Sequence, residues 1–167
     1  MGKSLSIRAS QIVLISCIGC LALAAAFNNV IDYQSNFQFV QHVMTMDTVY
    51  PTNVLKYRAI DEPLAHSAVY TAIIILEFAT AALTLFGAVQ MTRHINSDAN
   101  TFNSHKTAAV LGLSCGFVLW FFGFIVIGGE WFCMWQSPHW NGQEAAFRYV
   151  ACIVLVLIYT AQSDKIP

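Results

Sequence analysis

The sequence predicts an all-α membrane protein, a four-transmembrane-helix bundle with both termini cytoplasmic and two outer loops forming a cap. Three observations carry that expectation. Of 167 residues 57% are apolar and only 10% charged, against about half and about a quarter in soluble domains. Four apolar runs, at about 7–27, 65–88, 108–129 and 145–161, each approach the roughly 20 residues that cross a hydrocarbon core as a helix, and a helix satisfies its own backbone where no water can. The flanking Lys and Arg divide unevenly, with Lys3, Arg8, Arg93, Lys106 and Lys165 on one side and Lys56, Arg58 and Arg148 on the other. Because cationic flanks stay in the cytoplasm, the larger set is the inner one. The whole chain, 1–167, then reads as a single integral membrane domain, with outer loops 28–64 and 130–144 and an inner loop 89–107. A net charge of −1 offers no basic field for nucleic acid.

The first span follows Lys3 and Arg8 and contains Ala22, Ala24 and Ala26, so it imitates a cleavable secretory signal. A retained helix is the expectation. Its Cys17 and Cys20 have the CxxC spacing that thiol oxidoreductases use, yet Cys17 falls mid-span, where no soluble partner reaches it. Packing is the better reading. Cys115 and Cys152 also lie in spans, which leaves Cys133 as the one cysteine expected to be accessible.

Within the outer loop 28–64, Phe37, Val40, Val43 and Met44 follow helical spacing and suggest an interfacial helix. The same loop carries His42, Met44 and Met46, and the second outer loop carries Cys133, Met134 and His139. Imidazole, thioether and thiol groups together suit copper(I). The competing reading makes the methionines packing residues; no other cofactor is expected.

Pro63, with Asp61 and Glu62 beside it, marks the start of the second span. Glu77 lies near the middle of that span, where a carboxyl is costly and its default role is functional. The alternative is a neutral carboxyl making one interhelical hydrogen bond. Thr80, Ala81, Thr84 and Ala88 share its helical face, so this face should be buried in protein. Counting inward from the span ends puts Glu77 level with Ser16, Cys17, Cys115, Trp120 and Tyr159. Ser16, Cys115 and Trp120 are therefore the expected partners.

In the third span, Ala108, Gly112 and Gly116 form a small-residue groove for a neighbouring helix, with the first span's Ser16, Cys20 and Ala24 as one possible match. Gly128 and Gly129 read as its stop. Trp131, Trp135 and Trp140 then crowd a loop that should hug the interface. Asn141 and Glu144 have capping-box spacing ahead of the fourth span. Arg148 can pair with Glu144 one turn back or with Glu130 across the loop.

The segments NNVIDYQSNFQFVQHVMTMDTVYP (Asn28 to Pro51) and GFIVIGGEWFCMWQSPHWNGQEAAFRY (Gly123 to Tyr149) change the reading. Through them the chain resembles a bacterial family of predicted small integral membrane proteins catalogued as domain of unknown function 2165. That resemblance implies four spans and a multi-pass place in the bacterial inner membrane. It implies no activity. No Walker loop, haem motif, zincin pattern or nucleophile elbow is present. Three function classes follow from the residues. The first is a noncatalytic accessory or assembly subunit, in contact with the bilayer and with other membrane subunits or its own copies. The second is a transporter or proton-relay component built on Glu77, and the third is a periplasm-facing copper or redox protein.

Overall fold

The computed structural model describes residues 2–164 and side chains from residue 5 onward. Lys165, and the side chain of Lys3, lie outside the described residues. Six main helices and no strand are present among the described residues: α1 (Gly2–Ile31), α2 (Tyr33–Thr45), α3 (Pro63–Arg93), α4 (Ala99–Ser104), α5 (α-helical over Thr107–Phe117 and continued as a π-helix over Val118–Trp131) and α6 (Gln143–Ala161), with short 3-10 helices at Val54–Arg58 and Met134–Gln136. Four stretches are long and apolar enough to cross a membrane, at Leu5–Ile31, Pro63–Arg93, Ala99–Trp131 and Gln143–Ala161. All four expected spans are thus present as helices.

Helix α3 lies at the centre of the bundle, packed on α1 and α5, and α6 covers α5. Its start follows from local chemistry. Glu62 accepts a hydrogen bond from the Leu64 N–H, and Pro63 occupies a position where a missing N–H costs nothing. The α3–α5 contact is made by small residues. A Cβ added at Gly112 would strike Thr84 Oγ1, and one at Gly87 would strike the Ala109 backbone. The partner of the third-span groove is therefore α3. The buried face of α1 is Ile15, Ile18, Ala22 and Ala26, not the Ser16, Cys20 and Ala24 row, and Gly19 of α1 meets Leu85 of α3.

Two further boundaries depart from the sequence reading. Gly128 and Gly129 do not end α5, whose second half, Val118–Trp131, winds as a π-helix; Phe132 N–H still donates to Ile127 O, five residues back, at 3.0 Å. The glycines are needed for contact, since a Cβ at Gly129 would run into the Gln143 amide. Asn141 does not form a capping box with Glu144: its Oδ1 accepts from Gln143 N–H at 3.1 Å, and Glu144 turns along its own helix to Arg148.

The two ends of the bundle are held differently. At the end where α1 begins and α6 finishes, Arg8 Nε meets Asp164 at 2.5 Å, and the same guanidinium donates to the carbonyls of Ile95 and Ser97. Lys106 Nζ donates to Gln162 O at 2.7 Å. At the opposite end the two long loops meet and form a cap. Thr48 Oγ1 donates to Ser137 Oγ at 2.8 Å, and Gln136 Oε1 accepts from Tyr50 N–H and Asn53 Nδ2. Beneath these bonds lies an apolar core that includes Val40, Val43, Met44, Met46, Phe132 and Met134.

Candidate functional site

Helix α3 carries an uncommon buried face. His66, Tyr70, Glu77, Thr80 and Thr84 all point inward, each at most 4% exposed. Spacing near 3.6 residues puts them on one stripe. The face expected from Thr80, Ala81, Thr84 and Ala88 is buried throughout.

Within this stripe the Glu77 carboxyl receives a hydrogen bond from Asn29 Nδ2 at 2.8 Å. Asn29 is held in turn by Asn36, whose Nδ2 donates to Asn29 Oδ1 at 2.7 Å, and by Tyr70, whose hydroxyl donates to the Asn29 backbone carbonyl at 3.1 Å. Asn36 is exposed and Glu77 is buried. A continuous chain of side-chain hydrogen bonds therefore runs from the cap into the bundle.

Glu77 opens into a cavity of about 320 Å³ lined by Asn28, Asn29, Asn36, Tyr70, Trp120 and Tyr149 among others. The Trp120 and Tyr149 rings stack with centroids 4.7 Å apart. No Lys, Arg or His lines it among the described residues. A larger cavity of about 510 Å³ adjoins it toward the cap, lined by carbon-rich side chains such as Val43, Met44, Val69 and Ile127. Phe39, Val40, Ile73 and Phe124 form part of both walls.

The residues expected around Glu77 separate. Trp120 shares the Glu77 cavity. Ser16 instead donates to Ile12 O within its own helix, and the Cys115 thiol points to Leu76 O at 3.9 Å. Tyr159 pairs with Ser10 near the terminal end. The depth count fails because it assumes that the spans end level. Helix α1 runs on to Ile31, and α3 starts beyond that end, under the cap, so Asn29 and not Ser16 stands opposite Glu77. Asn29 had been assigned to a loop, which hid it. The usable signal was Tyr70, seven residues before Glu77 and on the same helical face.

Of the charged trio, Glu144 and Arg148 pair at 2.5 Å in an exposed i,i+4 arrangement, worth only a few tenths of a kcal/mol. Glu130 is exposed and gives its backbone carbonyl to the Cys133 thiol. Arg58 stacks on the Trp131 ring at 4.5 Å and donates to Trp131 O.

The soft ligands also divide. Met44, Met46, Cys133 and Met134 are buried together in the cap core. His42 turns away to Asp47 at 2.6 Å and stacks on Trp140, while His139 is exposed. Among the described residues no group of three His, Cys, Asp or Glu side chains is placed to hold a metal ion. Cys133, expected to be accessible, is 3% exposed. Its backbone adopts φ 56°, a left-handed turn that folds the side chain under the loop.

Residues 7–163 match the model of a family described as predicted small integral membrane protein, DUF2165. The chain belongs to that family. No curated protein and no solved structure matches it. The family description agrees with the four spans and names no activity.

Proposed function

We propose that this family member is a transporter or proton-relay component that works through Glu77. One observation carries the reading: a buried carboxyl opens into a polar cavity whose described lining supplies hydrogen-bond donors and no cation. Structure alone is a poor reason to keep such a group, because an apolar residue of similar size would pack a helix interface at lower desolvation cost. The chain from Asn36 through Asn29 gives the site a polar route toward the cap. Thr80 and Thr84 continue the polar stripe in the other direction. Four helices enclose little volume, so a transporter of this kind works as an oligomer.

A second reading, the noncatalytic accessory subunit, is supported by the cap surface. Val54, Tyr57 and Trp135 stand well exposed on the joined loops and offer an apolar face to another membrane subunit. The copper reading loses support, because His42 and His139 stand apart from the buried sulfur groups. For orientation we propose both termini on the cytoplasmic side of a bacterial inner membrane, from the Lys and Arg distribution. Periplasm-active reporters fused near Asp47 or Pro138 should be active and one near Asn100 inactive; the reverse pattern refutes the orientation.

The test of the main reading is Glu77→Gln in a deletion strain. The amide keeps the shape and the contact with Asn29, so the variant should accumulate and melt like wild type while failing to restore the phenotype. Full restoration would leave Glu77 with a structural role.

A further inference from the structure

The two adjoining cavities differ in chemistry in a way that describes a ligand. The inner one holds a single ionisable acid, Glu77, with Asn29 taking one of its two oxygens. Among the described residues no other hydrogen bond reaches that carboxyl. The same cavity is lined by the aromatic side chains of Tyr70, Trp120, Tyr149, Phe39 and Phe124. A carboxyl and aromatic rings lining one cavity favour a weakly hydrated cation, by Coulomb attraction at low dielectric and by the quadrupoles of the rings. The outer cavity is larger, and its walls are almost wholly carbon. Phe39, Val40, Ile73 and Phe124 belong to the lining of both, so the two compartments meet at these side chains.

From this we infer that the paired cavities are one binding site for a lipophilic cation, an amine or quaternary ammonium whose charged head lies against Glu77 and whose apolar body fills the cap-side compartment. The inference rests on the reading of Glu77 as a working group and names its ligand class. An anionic head is disfavoured, since it would face a carboxylate with no Lys, Arg or His in the described lining. A cation supplies the counter-charge that an ionised carboxyl needs in a place where the protein offers none, which a neutral amphiphile cannot do. The apolar compartment explains why the ligand is lipophilic: burying its body there recovers the hydrophobic transfer energy of each methylene.

The experiment measures equilibrium binding of decyltrimethylammonium to the full chain in phosphatidylcholine nanodiscs, with empty nanodiscs subtracted. Decyl sulfate, decanol and tetramethylammonium serve as the comparison ligands. Saturable one-to-one binding is expected, with decyl sulfate and decanol at least tenfold weaker. Glu77→Gln should weaken decyltrimethylammonium at least tenfold without lowering the melting temperature. Gly123 lines the apolar compartment, and a Cβ there meets only Leu119 Cδ1 at 3.9 Å, so the position accepts a side chain. Gly123→Leu should weaken the decyl cation and leave tetramethylammonium unchanged. Equal binding of decyl sulfate or decanol overturns the cation assignment on wild-type protein alone, whatever the folding of the variants. Equal loss of both cations in Gly123→Leu overturns the two-compartment arrangement. If Gln fails to complement the deletion while no ammonium binds, the ligand class is wrong and the role of Glu77 stands; if Gln complements fully, that role itself fails.

Discussion

The α3–α5 contact yields the most quantitative prediction, because glycines along α5 meet very different surroundings. An alanine Cβ at Gly112 would lie 2.6 Å from Thr84 N and 3.0 Å from Leu83 Cβ, with Thr84 Oγ1 closer still. Ordinary carbon contacts are about 3.5–4.0 Å, so the helices must part by about 1 Å. Two of the three blocking groups are a backbone nitrogen and a Cβ, which cannot rotate away. A gap of that size forfeits about a quarter to a half of each dispersion contact along the seam. Overpacking of this kind costs about 1–3 kcal/mol, offset by about 1 kcal/mol of better helix propensity. Gly112→Ala should therefore destabilise by up to about 2 kcal/mol.

Gly123 is the control. Its Cβ would meet Leu119 at 3.9 Å and nothing else within 4 Å, so Gly123→Ala should be neutral or stabilising by up to about 1 kcal/mol. Gly116 falls between, since its nearest neighbours are the ends of the Thr80, Ile153 and Trp120 side chains at 2.9–3.2 Å. The assay is thermal unfolding in mild detergent followed by circular dichroism, where 1 kcal/mol corresponds to about 2–4 °C for a chain of this size. The order should be Gly112→Ala below Gly116→Ala below Gly123→Ala. Equal melting of the Gly112 and Gly123 variants would show that α3 and α5 do not meet at Gly112.

Three other outcomes follow from the structure. Arg8→Ala removes one partner of the half-buried Asp164 carboxylate and two carbonyl contacts, so unfolding in detergent should show a loss of about 1–3 kcal/mol, whereas Arg148→Ala should change stability by less than about 0.5 kcal/mol. A membrane-impermeant maleimide should leave Cys133 unlabelled in the folded protein and label it after denaturation; rapid labelling of the native chain would place the thiol outside the cap core. Asp98 caps α4 by accepting from Thr101 Oγ1 and Thr101 N–H, which hold its carboxyl below the ordinary carboxylate range. With the folded value depressed, the cap's contribution is fully present above the ordinary range and fades as pH falls through the lower folded value; NMR titration should show Asp98 moving upward in Thr101→Val.

Much of this fold was legible because a hydrophobic run of about 20 residues has few structural outcomes. Pro63 marked the start of α3, and the 3.6-residue period found the face of Thr80, Ala81, Thr84 and Ala88 around Glu77. The relative heights of the helices were not legible. Hydropathy locates a run along the chain but says nothing of where its end lies against a neighbour, and Asn29 was missed for that reason. Cys133 was misjudged on similar grounds: a polar loop in sequence becomes a lid over buried sulfur once its backbone enters the left-handed region. The groove of Gly112 and Gly116 was visible as a device for close approach, while its partner was decided by Thr84 and Thr80, which are small only from the other side.

The position of the π-helical half of α5 ties these features together. It begins at Val118, two residues before Trp120, and ends at Trp131 beside the cap. Along this stretch lie Trp120, on the polar cavity; Phe124, on the wall between the two cavities; and Gly123, Ile127, Gly128 and Trp131, on the apolar cavity. The i→i+5 winding is rare and, where it occurs, frequent at functional sites. Here it supplies one wall to both compartments, while α3 and α6 supply Glu77 and Tyr149 opposite. Packing agrees with that division. The glycines of α5 below the winding, Gly112 and Gly116, press against α3, but Gly123 within it has open space. Between those packed glycines and the cap the bundle opens, and Glu77, the carboxyl buried deepest among the described residues, stands where it opens.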